Sequence, residues 1–327
     1  MISLSEYQIR KLKDFTPETC IISIDIGATK TLARKISSSF NLLGEIRIET
    51  GKLIPDDPEG FPRRLRSILE EDLGFDSTIG VVSVSTAGAV TEDGTLIWSP
   101  NLGWKDLPVK KYFERAFQLP VALINDCDAG ALAEKFVTPE YANLMYITIS
   151  SGIGGGLILS NSLYRGENGA AAEIGHLIVE PNGKICSCGR KGCLQAYSSG
   201  RSLERDLREI EDDLSKSAGG PLIEEAVKRM ESGDSKTARV FEDAFKYLGM
   251  AIAFISGLLD IGQFRLGGGV MAQSDVIIPI ISKWVERFEY PVSGRKIEVR
   301  RASSYPNSSI FGAEVNGLIK IYTEGRL

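Results

Sequence analysis

The sequence has few of the residues that build covalent cross-links and metal centres. Among its 327 residues there is one histidine, His176, and there are five cysteines, which cannot all pair within one chain. Secreted domains that depend on disulfides carry an even and denser set of cysteines on shorter chains. The composition therefore disfavours that class and favours reduced thiols or a metal site.

Long apolar runs are absent as well. The most apolar stretch, residues 251–259, is too short to span a bilayer. Residues 1–15 carry charges throughout and lack the apolar core of a signal peptide. A formal net charge of -5 disfavours a broad nucleic-acid interface. We therefore expect a cytoplasmic protein without membrane or nucleic-acid partners.

What is present is the composition of a globular protein. The length suits about two domains, and the 43% hydrophobic and 25% charged residues are ordinary for a soluble protein. Apolar residues at 3-4 spacing predict a long helix that begins at Asp234 or Ser235. They also predict an amphipathic helix after Pro279 and a closing helix from Ser308 to Tyr322.

Two segments share an apolar strand, a glycine-containing turn and a second strand. They are CIISIDIGATKTLARKI at residues 20–36 and NLMYITISSGIGGGLIL at residues 143–159. Both are typical of β-hairpins, whereas a Rossmann or Walker loop opens directly into a helix.

The turns of these hairpins could bind a phosphate through their backbone amides. Asp25 could then hold Mg2+ through water, and Lys30 could offset phosphate charge. An ordinary hairpin turn is the alternative for any one of them. A third turn, LGGGV at residues 266–270, follows a further predicted strand. Three such turns favour a nucleotide held between two halves of a duplicated fold.

Asn125 and Asp126 lie where a predicted strand meets an alanine-rich helix. A carboxylate near a helix N-terminus is favoured by the helix dipole and the free amides. Phosphoryl transfer to an alcohol needs a carboxylate within hydrogen-bond reach of the hydroxyl. An Asn-Asp pair before a helix is usually only a cap, but its place between the two hairpins favours a functional role.

The single histidine and three of the cysteines share one segment, residues 176–193. Their spacing is His-x9-Cys-x-Cys-x4-Cys, and Cys3His is a recognised tetrahedral zinc set. A loop with free thiols is the alternative. Because four protein ligands complete the shell, such a zinc would be structural and would not activate water.

Seven segments together resemble the ROK family of bacterial and archaeal sugar kinases and related repressors. They are DIGATK, PNLGW, LINDCDAGALAE, SSGIGGG, GAAAEIGH, CSCGRKGCLQAYSSG and LGGGV, in the family's order over roughly residues 20–320. The resemblance implies an α/β protein with a duplicated actin/hexokinase-like (ribonuclease H-like) fold and two domains around an ATP and sugar cleft. The smaller domain would comprise residues 1–124 with the closing helix 309–327. The larger would comprise residues 125–308 with the zinc-binding loop 176–193.

The resemblance also implies an activity and a set of site residues. It implies ATP-dependent phosphorylation of the 6-hydroxyl of a hexose with Asp126 as the general base, in a homodimer or homotetramer. The implied sugar-binding residues are Gly88, Asn101, Asn125, Asp126, Glu173, His176 and Gln195. Those implied for ATP with Mg2+ are Asp25, Gly27, Ala28, Thr29, Lys30, Thr31, Ser151, Gly152, Gly268 and Gly269. A structural Zn2+ would be bound by His176, Cys186, Cys188 and Cys193, with the second ring nitrogen of the histidine on the sugar.

Two residues depart from the family pattern. The phosphate turn usually reads DIGGTK, and Ala28 is tolerable there if its φ is negative. Gln195 stands where the family usually carries a sugar-binding Glu. Glutamine accepts through its carbonyl, but it has no charge and adds an N–H2 donor. We therefore hypothesise an altered sugar preference or weaker sugar binding.

The alternatives concern the substrate and the loss of catalysis. PNLGWKDLP and GAAAEIGH resemble the glucokinase branch, which favours glucose, with an N-acetylmannosamine or N-acetylglucosamine kinase as the near alternative. ROK repressors carry a helix-turn-helix domain, and about 20 residues ahead of the first predicted strand are too few for its three helices. A sugar sensor without catalysis is disfavoured by Asp126 and the intact turns.

Overall fold

The computed structural model describes residues 4–15, 18–54, 57–99, 102–210, 222–291 and 296–324. Its strands are β1 (Cys20–Ile26), β2 (Lys30–Ser37), β3 (Leu42–Glu49), β4 (Ile79–Thr86), β5 (Ala89–Val90), β6 (Leu96–Ser99), β7 (Trp104–Leu107), β8 (Val121–Asn125), β9 (Leu144–Ile149), β10 (Ile153–Leu159), β11 (Ser162–Tyr164), β12 (Gln263–Gly267) and β13 (Glu298–Arg301).

Its α-helices are α1 (Glu6–Asp14), α2 (Thr50–Leu53), α3 (Gly60–Asp72), α4 (Val109–Phe117), α5 (Asp126–Val137), α6 (Gln195–Ser198), α7 (Gly200–Ile210), α8 (Leu222–Glu231), α9 (Ser235–Leu259), α10 (Ser274–Phe288) and α11 (Ser308–Glu324). Short 3-10 helices lie at Ile174–His176 and Gly269–Gln273.

The first sheet has the strand order β3-β2-β1-β4-β8. β1, β2 and β3 pair antiparallel, and β1, β4 and β8 pair parallel. Parallel strands covered on both faces are continuously apolar, which accounts for the buried aliphatic residues along β1 and β4. Phe61 of α3 and Phe113 of α4 belong to the core cluster that also contains Val82 and Val84 of β4. Helix α11 packs against β1, β4 and α5.

The second sheet has the order β11-β10-β9-β12-β13. β10 and β11 pair antiparallel, whereas β12 pairs parallel with both β9 and β13. When the strands of each sheet are counted along the chain, both sheets have the same spatial order: third, second, first, fourth, fifth. This shared order is the duplication that the sequence predicts. The strands β5, β6 and β7 form a third, smaller sheet.

Contacts between Cα atoms divide the chain into two compact units. Unit 1 comprises Met1–Ala142, Gly156–Ala171 and Asn307–Leu327, and unit 2 comprises Asn143–Gly155 and Ala172–Pro306. This division differs from the predicted boundary at residue 124, because α5 packs on α11 and therefore groups with unit 1. Helix α11 also belongs to unit 1.

Most of the predicted elements are confirmed. Residues 20–37 form an antiparallel hairpin, and β9 and β10 are neighbours in their sheet. Asp234 caps α9, because its carboxylate accepts from the amides of Lys236 and Thr237. The predicted start of the next helix was wrong. α10 begins at Ser274 and contains Pro279 in its interior, where the proline removes one backbone hydrogen bond of the helix.

No helix within the described ranges combines the length and the apolar character that a bilayer span requires.

Candidate active site

The first glycine-containing turn joins β1 to β2 in unit 1. The amide of Gly27 donates to the carbonyl of Lys30 at 3.0 Å, which closes the turn and leaves Ala28, Thr29 and Lys30 exposed. Ala28 is not among the described residues with positive φ. Its methyl group therefore costs the turn little, and this departure from the family pattern is compatible with the predicted phosphate contact.

Thr31 differs from its neighbours in this turn because it faces the protein interior. It is fully buried, and its hydroxyl lies 3.1 Å from the hydroxyl of Thr50, which also donates to the carbonyl of Gly27 at 2.8 Å. The side chain thus supports the turn from behind. Only the backbone of Thr31 remains as a candidate contact to a nucleotide.

Asp25 lies at the end of β1 beside two serines. The hydroxyl of Ser309 donates to Asp25 Oδ1 at 2.7 Å, and the hydroxyls of Ser85 and Ser309 are 2.6 Å apart. Burial raises the pKa of Asp25, and the hydrogen bonds from the two serines oppose that rise. Sequence reasoning missed both serines, because they reach Asp25 only through β4 and α11.

Asn125 and Asp126 form the junction between β8 and α5. The Asn125 side chain caps the helix, since its Oδ1 accepts from the amides of Cys127 at 2.8 Å and Asp128 at 3.0 Å. Its Nδ2 donates to the carbonyl of Gly88 at 2.9 Å. One amide therefore ties the start of α5 to the turn after β4. Sequence reasoning selected Asn125 and Gly88 separately and did not predict this bond.

Asp126 is the first residue of α5 and is half-buried. Its Oδ1 accepts from the amide of Cys127 at 2.9 Å, which orients the carboxylate at the positive end of the helix dipole. Asn101, the remaining predicted sugar ligand of this part of the chain, lies outside the described residues.

The second and third glycine-rich turns meet in unit 2. Ser151 of the second turn and Gly269 of the third both line a cavity of about 430 Å3, a volume within the range of small-molecule sites. Gly268 has a φ of 86°, and a side chain there would overlap the carbonyl of Ile149. The close approach of the two strand ends thus depends on that glycine. Gly152 and Gly268 support the turns without lining the cavity.

Several residues of this cavity were not predicted from the sequence. They come from α7, α8 and the segment after β12, and their order along the chain gives no sign of their proximity: Arg201, Glu204, Ile223, Glu224 and Gln273.

The predicted metal ligands converge in unit 2. Ligand atoms of His176, Cys186, Cys188 and Cys193 all lie within 4.8 Å of one another. The Sγ atoms of Cys188 and Cys193 are 3.7 Å apart, close to the edge of about 3.8 Å that Zn–S bonds of about 2.3 Å give in a tetrahedron. The residues therefore fit zinc in ligand type, number and spacing.

The environment of the cluster supports this fit. His176 Nδ1 is buried and has no hydrogen-bond partner among the residues that the structure describes, as expected of an atom placed to bind a cation. Cys186 and Cys193 pack with Ala196 and Tyr197 of α6 in a small apolar core. The Tyr197 hydroxyl accepts from the amide of Lys184 at 2.7 Å. The loop is therefore held in place by α6 as well as by its own ligands.

Two thiols of the cluster, those of Cys188 and Cys193, have divergent pKa values. Burial disfavours the thiolate of Cys188, but hydrogen bonds with Arg190 and the other two thiols outweigh it and lower its pKa to about 6. Burial and the neighbouring thiols raise the pKa of Cys193 to about 12. A cation at the centre of the cluster would favour the thiolate at each cysteine.

Gln195 and Glu173 flank this cluster. Gln195 is the first residue of α6, and it lines a second cavity of about 350 Å3 together with Ser151, Cys186 and Ser187. Glu173 immediately precedes the 3-10 helix that carries His176. Partial desolvation of its carboxylate raises the pKa of Glu173, and the nearby His176 opposes the rise. The predicted sugar ligands of unit 2 are therefore grouped around the metal-binding loop.

Two sheets of identical strand order, with glycine-rich turns at their strand ends, define an actin/hexokinase-like protein. A family model described as ROK family matches residues 21–316, so the chain belongs to the ROK family. A glucokinase from Streptomyces coelicolor is 30% identical over 285 residues, which make up 82% of this chain and 87% of the relative. An N-acetylmannosamine kinase from Haemophilus influenzae is 29% identical over 273 residues, or 82% of this chain and 86% of the relative.

A solved structure extends the comparison to three dimensions. The crystal structure of a ROK family glucokinase from Streptomyces griseus in complex with glucose and AMPPNP is 28% identical to this chain. The TM-score is 0.76, and the match covers 90% of this chain and 98% of that chain. The predicted family and fold class are thereby confirmed, and the relatives of this chain include sugar kinases.

Proposed function

We propose that the protein is an ATP-dependent kinase that phosphorylates the 6-hydroxyl of a hexose, with glucose as the first candidate. The observation that carries the proposal is the placement of Asp126. It begins α5 directly after the Asn125 cap, and the same cap binds the carbonyl of Gly88. A carboxylate oriented in this way at a helix start suits the base that a sugar hydroxyl requires.

In this mechanism Asp126 accepts the proton of the 6-hydroxyl while the hydroxyl oxygen attacks the γ-phosphorus and the bond to ADP breaks. The exposed Lys30 and the amides of the glycine-rich turns offset the charge on the transferred group. Asp25, at the end of β1, would hold Mg2+ through water, and the ion would supply further neutralisation of the phosphates. Asn101, Asn125, Glu173, Gln195 and the backbone of Gly88 are proposed to position the sugar.

The proposal includes a structural Zn2+ at the cluster of His176, Cys186, Cys188 and Cys193. His176 Nδ1, which is buried and has no hydrogen-bond partner within the described part of the chain, is the ring atom assigned to the metal, and Nε2 is left for a sugar hydroxyl. Metal on one ring nitrogen fixes the tautomer and the orientation of the other. A zinc ion held by these four residues would therefore orient a ligand of the sugar, and the proton transfer is assigned to Asp126. The reduced thiols and the use of ATP suit the cytoplasm.

An ATP-coupled assay over a panel of hexoses and N-acetylhexosamines tests the activity, and Asp126→Asn tests the base. The variant is expected to keep sugar binding while kcat falls at least about a hundredfold. Asp128→Asn is the matched control, because it makes the same substitution on the same helix. Asp128 is buried, and its Oδ2 lies 3.3 Å from Arg165 Nε. Loss of the Asp128 charge is therefore expected to lower stability and to leave turnover unchanged. Full turnover of Asp126→Asn would refute the assignment.

An N-acetylhexosamine kinase is the second candidate. The neutral Gln195 favours it where the family pattern has a charged acceptor, and the two curated kinases are almost equally similar to this chain. The sugar panel separates the two candidates directly. Measurable sugar binding without turnover of any sugar would favour a sensor or a repressor-like member of the family instead.

A further inference from the structure

Gln195 contacts the metal-binding cluster directly. Its Nε2 lies 3.1 Å from Cys186 Sγ and 3.2 Å from Ser187 Oγ, and donates to both. A primary amide carries two N–H donors, so these contacts engage both of them within the protein. The side chain therefore presents only its carbonyl oxygen to a ligand.

The carbonyl end of the same side chain lies on the opposite side, against two glycines. Oε1 would be 3.2 Å from a Cβ at Gly152 and 3.3 Å from a Cβ at Gly175. Gly152 belongs to the second glycine-rich turn, and Gly175 directly precedes His176. The main-chain carbonyl of Gln195 accepts from the hydroxyl of Ser202, which anchors the start of α6. The orientation of the amide is thus determined at the backbone and at both ends of the side chain.

We propose that Gln195 is a positioning residue that donates a hydrogen bond to the metal-bound thiolate of Cys186 while its Oε1 remains an acceptor for the sugar. The inference rests on the proposed zinc site and sugar site. A glutamate in this position has no N–H to donate and would bring a second negative charge next to a thiolate. The replacement of Glu by Gln in this chain therefore keeps an acceptor for the ligand and adds a donor to the metal ligand.

This arrangement revises the expectation drawn from the sequence. There the missing charge and the additional N–H2 donor of glutamine together led us to expect an altered sugar preference or weaker sugar binding. In the structure both N–H bonds are made within the protein, so charge is the remaining difference toward the sugar. The larger effect of Gln195 is expected on the metal.

Metal binding by three variants tests the inference without reference to activity. Gln195→Met removes the donors without adding charge, Gln195→Glu removes them and adds charge, and Ser187→Ala removes the other acceptor of the same amide. Competition with a chelator measures Zn2+ affinity, and absorption of the Co2+-substituted protein reports on the thiolates. Loss of an outer hydrogen bond to a metal ligand typically lowers affinity about 10- to 100-fold.

We expect Zn2+ affinity to fall about tenfold in Gln195→Met and further in Gln195→Glu, with Ser187→Ala within about twofold of wild type. At saturating Co2+ the sulfur-to-metal charge-transfer band should move to longer wavelength in both Gln195 variants, because the thiolate lone pair loses its donor. This band is compared in folded, metal-loaded protein, so a folding defect cannot imitate it. Equal affinity and an unchanged band in both variants would overturn the role of Gln195. Failure of the wild type to bind either metal would overturn the zinc site itself.

Discussion

Substitution of Gly88 by alanine gives the most direct test of the geometry around Asn125. Gly88 follows β4 with a φ of 111°, where a residue with a Cβ is strained. A Cβ at this position would also overlap the carbonyl oxygen of Trp98 and lie 3.1 Å from Ser99 Cβ. Trp98 belongs to β6 and pairs with Ala89, so it cannot move without disturbing the small sheet.

The expected loss of stability is the sum of two terms. Positive φ costs a non-glycine residue about 1–2 kcal/mol, and the overlap with β6 adds about 1–3 kcal/mol, as for overpacked sites. Gly74→Ala is the matched control, because Gly74 has a φ of 68° and none of the described residues lies within 4 Å of the added carbon. It isolates the first term.

Urea unfolding followed by far-ultraviolet circular dichroism measures both variants. Gly88→Ala should lose about 2–5 kcal/mol and Gly74→Ala about 1–2 kcal/mol. Because Asn125 Nδ2 donates to the carbonyl of Gly88, only Gly88→Ala should also lower kcat/KM for the sugar. Equal stability of the two variants, with unchanged kinetics, would refute the close packing of this turn and its role in placing Asn125.

Three further predictions concern other parts of the molecule. Burial raises the pKa of Asp25 in the folded state, so the protonated carboxyl favours the folded state at acidic pH. This contribution to stability is lost as the pH rises through the raised pKa of Asp25. Wild type should therefore lose stability relative to Asp25→Asn between acidic and neutral pH in thermal melts, while the variant loses turnover. The buried Lys135 donates to the carbonyls of Pro139 and Tyr141 and to Asn161 Oδ1. Lys135→Met should lower the free energy of unfolding, measured in urea, by about 3 kcal/mol. An unchanged free energy of unfolding would argue against these hydrogen bonds. Treatment with excess chelator should lower the melting temperature by several degrees, and Zn2+ but not Mg2+ should restore it.

Features that depend on neighbours in the sequence were predicted well. The β1–β2 hairpin, the Asn125 cap and the Asp234 cap each arise from a few consecutive residues, so residue type and spacing were sufficient. The convergence of His176 with the three cysteines was predicted for the same reason, since a loop of 18 residues, 176–193, carries all four ligands. The start of α10 was not predicted. Pro279 suggested that the helix begins after it, whereas the helix that packs on α9 already begins at Ser274.

Contacts between distant segments could not be predicted. Ser309 reaches Asp25 across 284 residues of sequence, and it does so only because α11 packs on β1 and β4. The wall of the larger cavity is formed by α7, α8 and the turn after β12, which no spacing rule connects.

The sequence by itself determined the family and the duplicated α/β fold, and it located the glycine-rich turns and the candidate residues for a metal and for the proton of a hydroxyl. These depend on local hydrogen bonding and on residue chemistry. Tertiary structure alone decided where each donor points. The Thr31 side chain faces the interior behind the first glycine-containing turn. Two serines lie beside Asp25, and the side-chain amide of Gln195 donates to Cys186. Those directions follow from packing between elements far apart in the chain, which the order of residues does not specify.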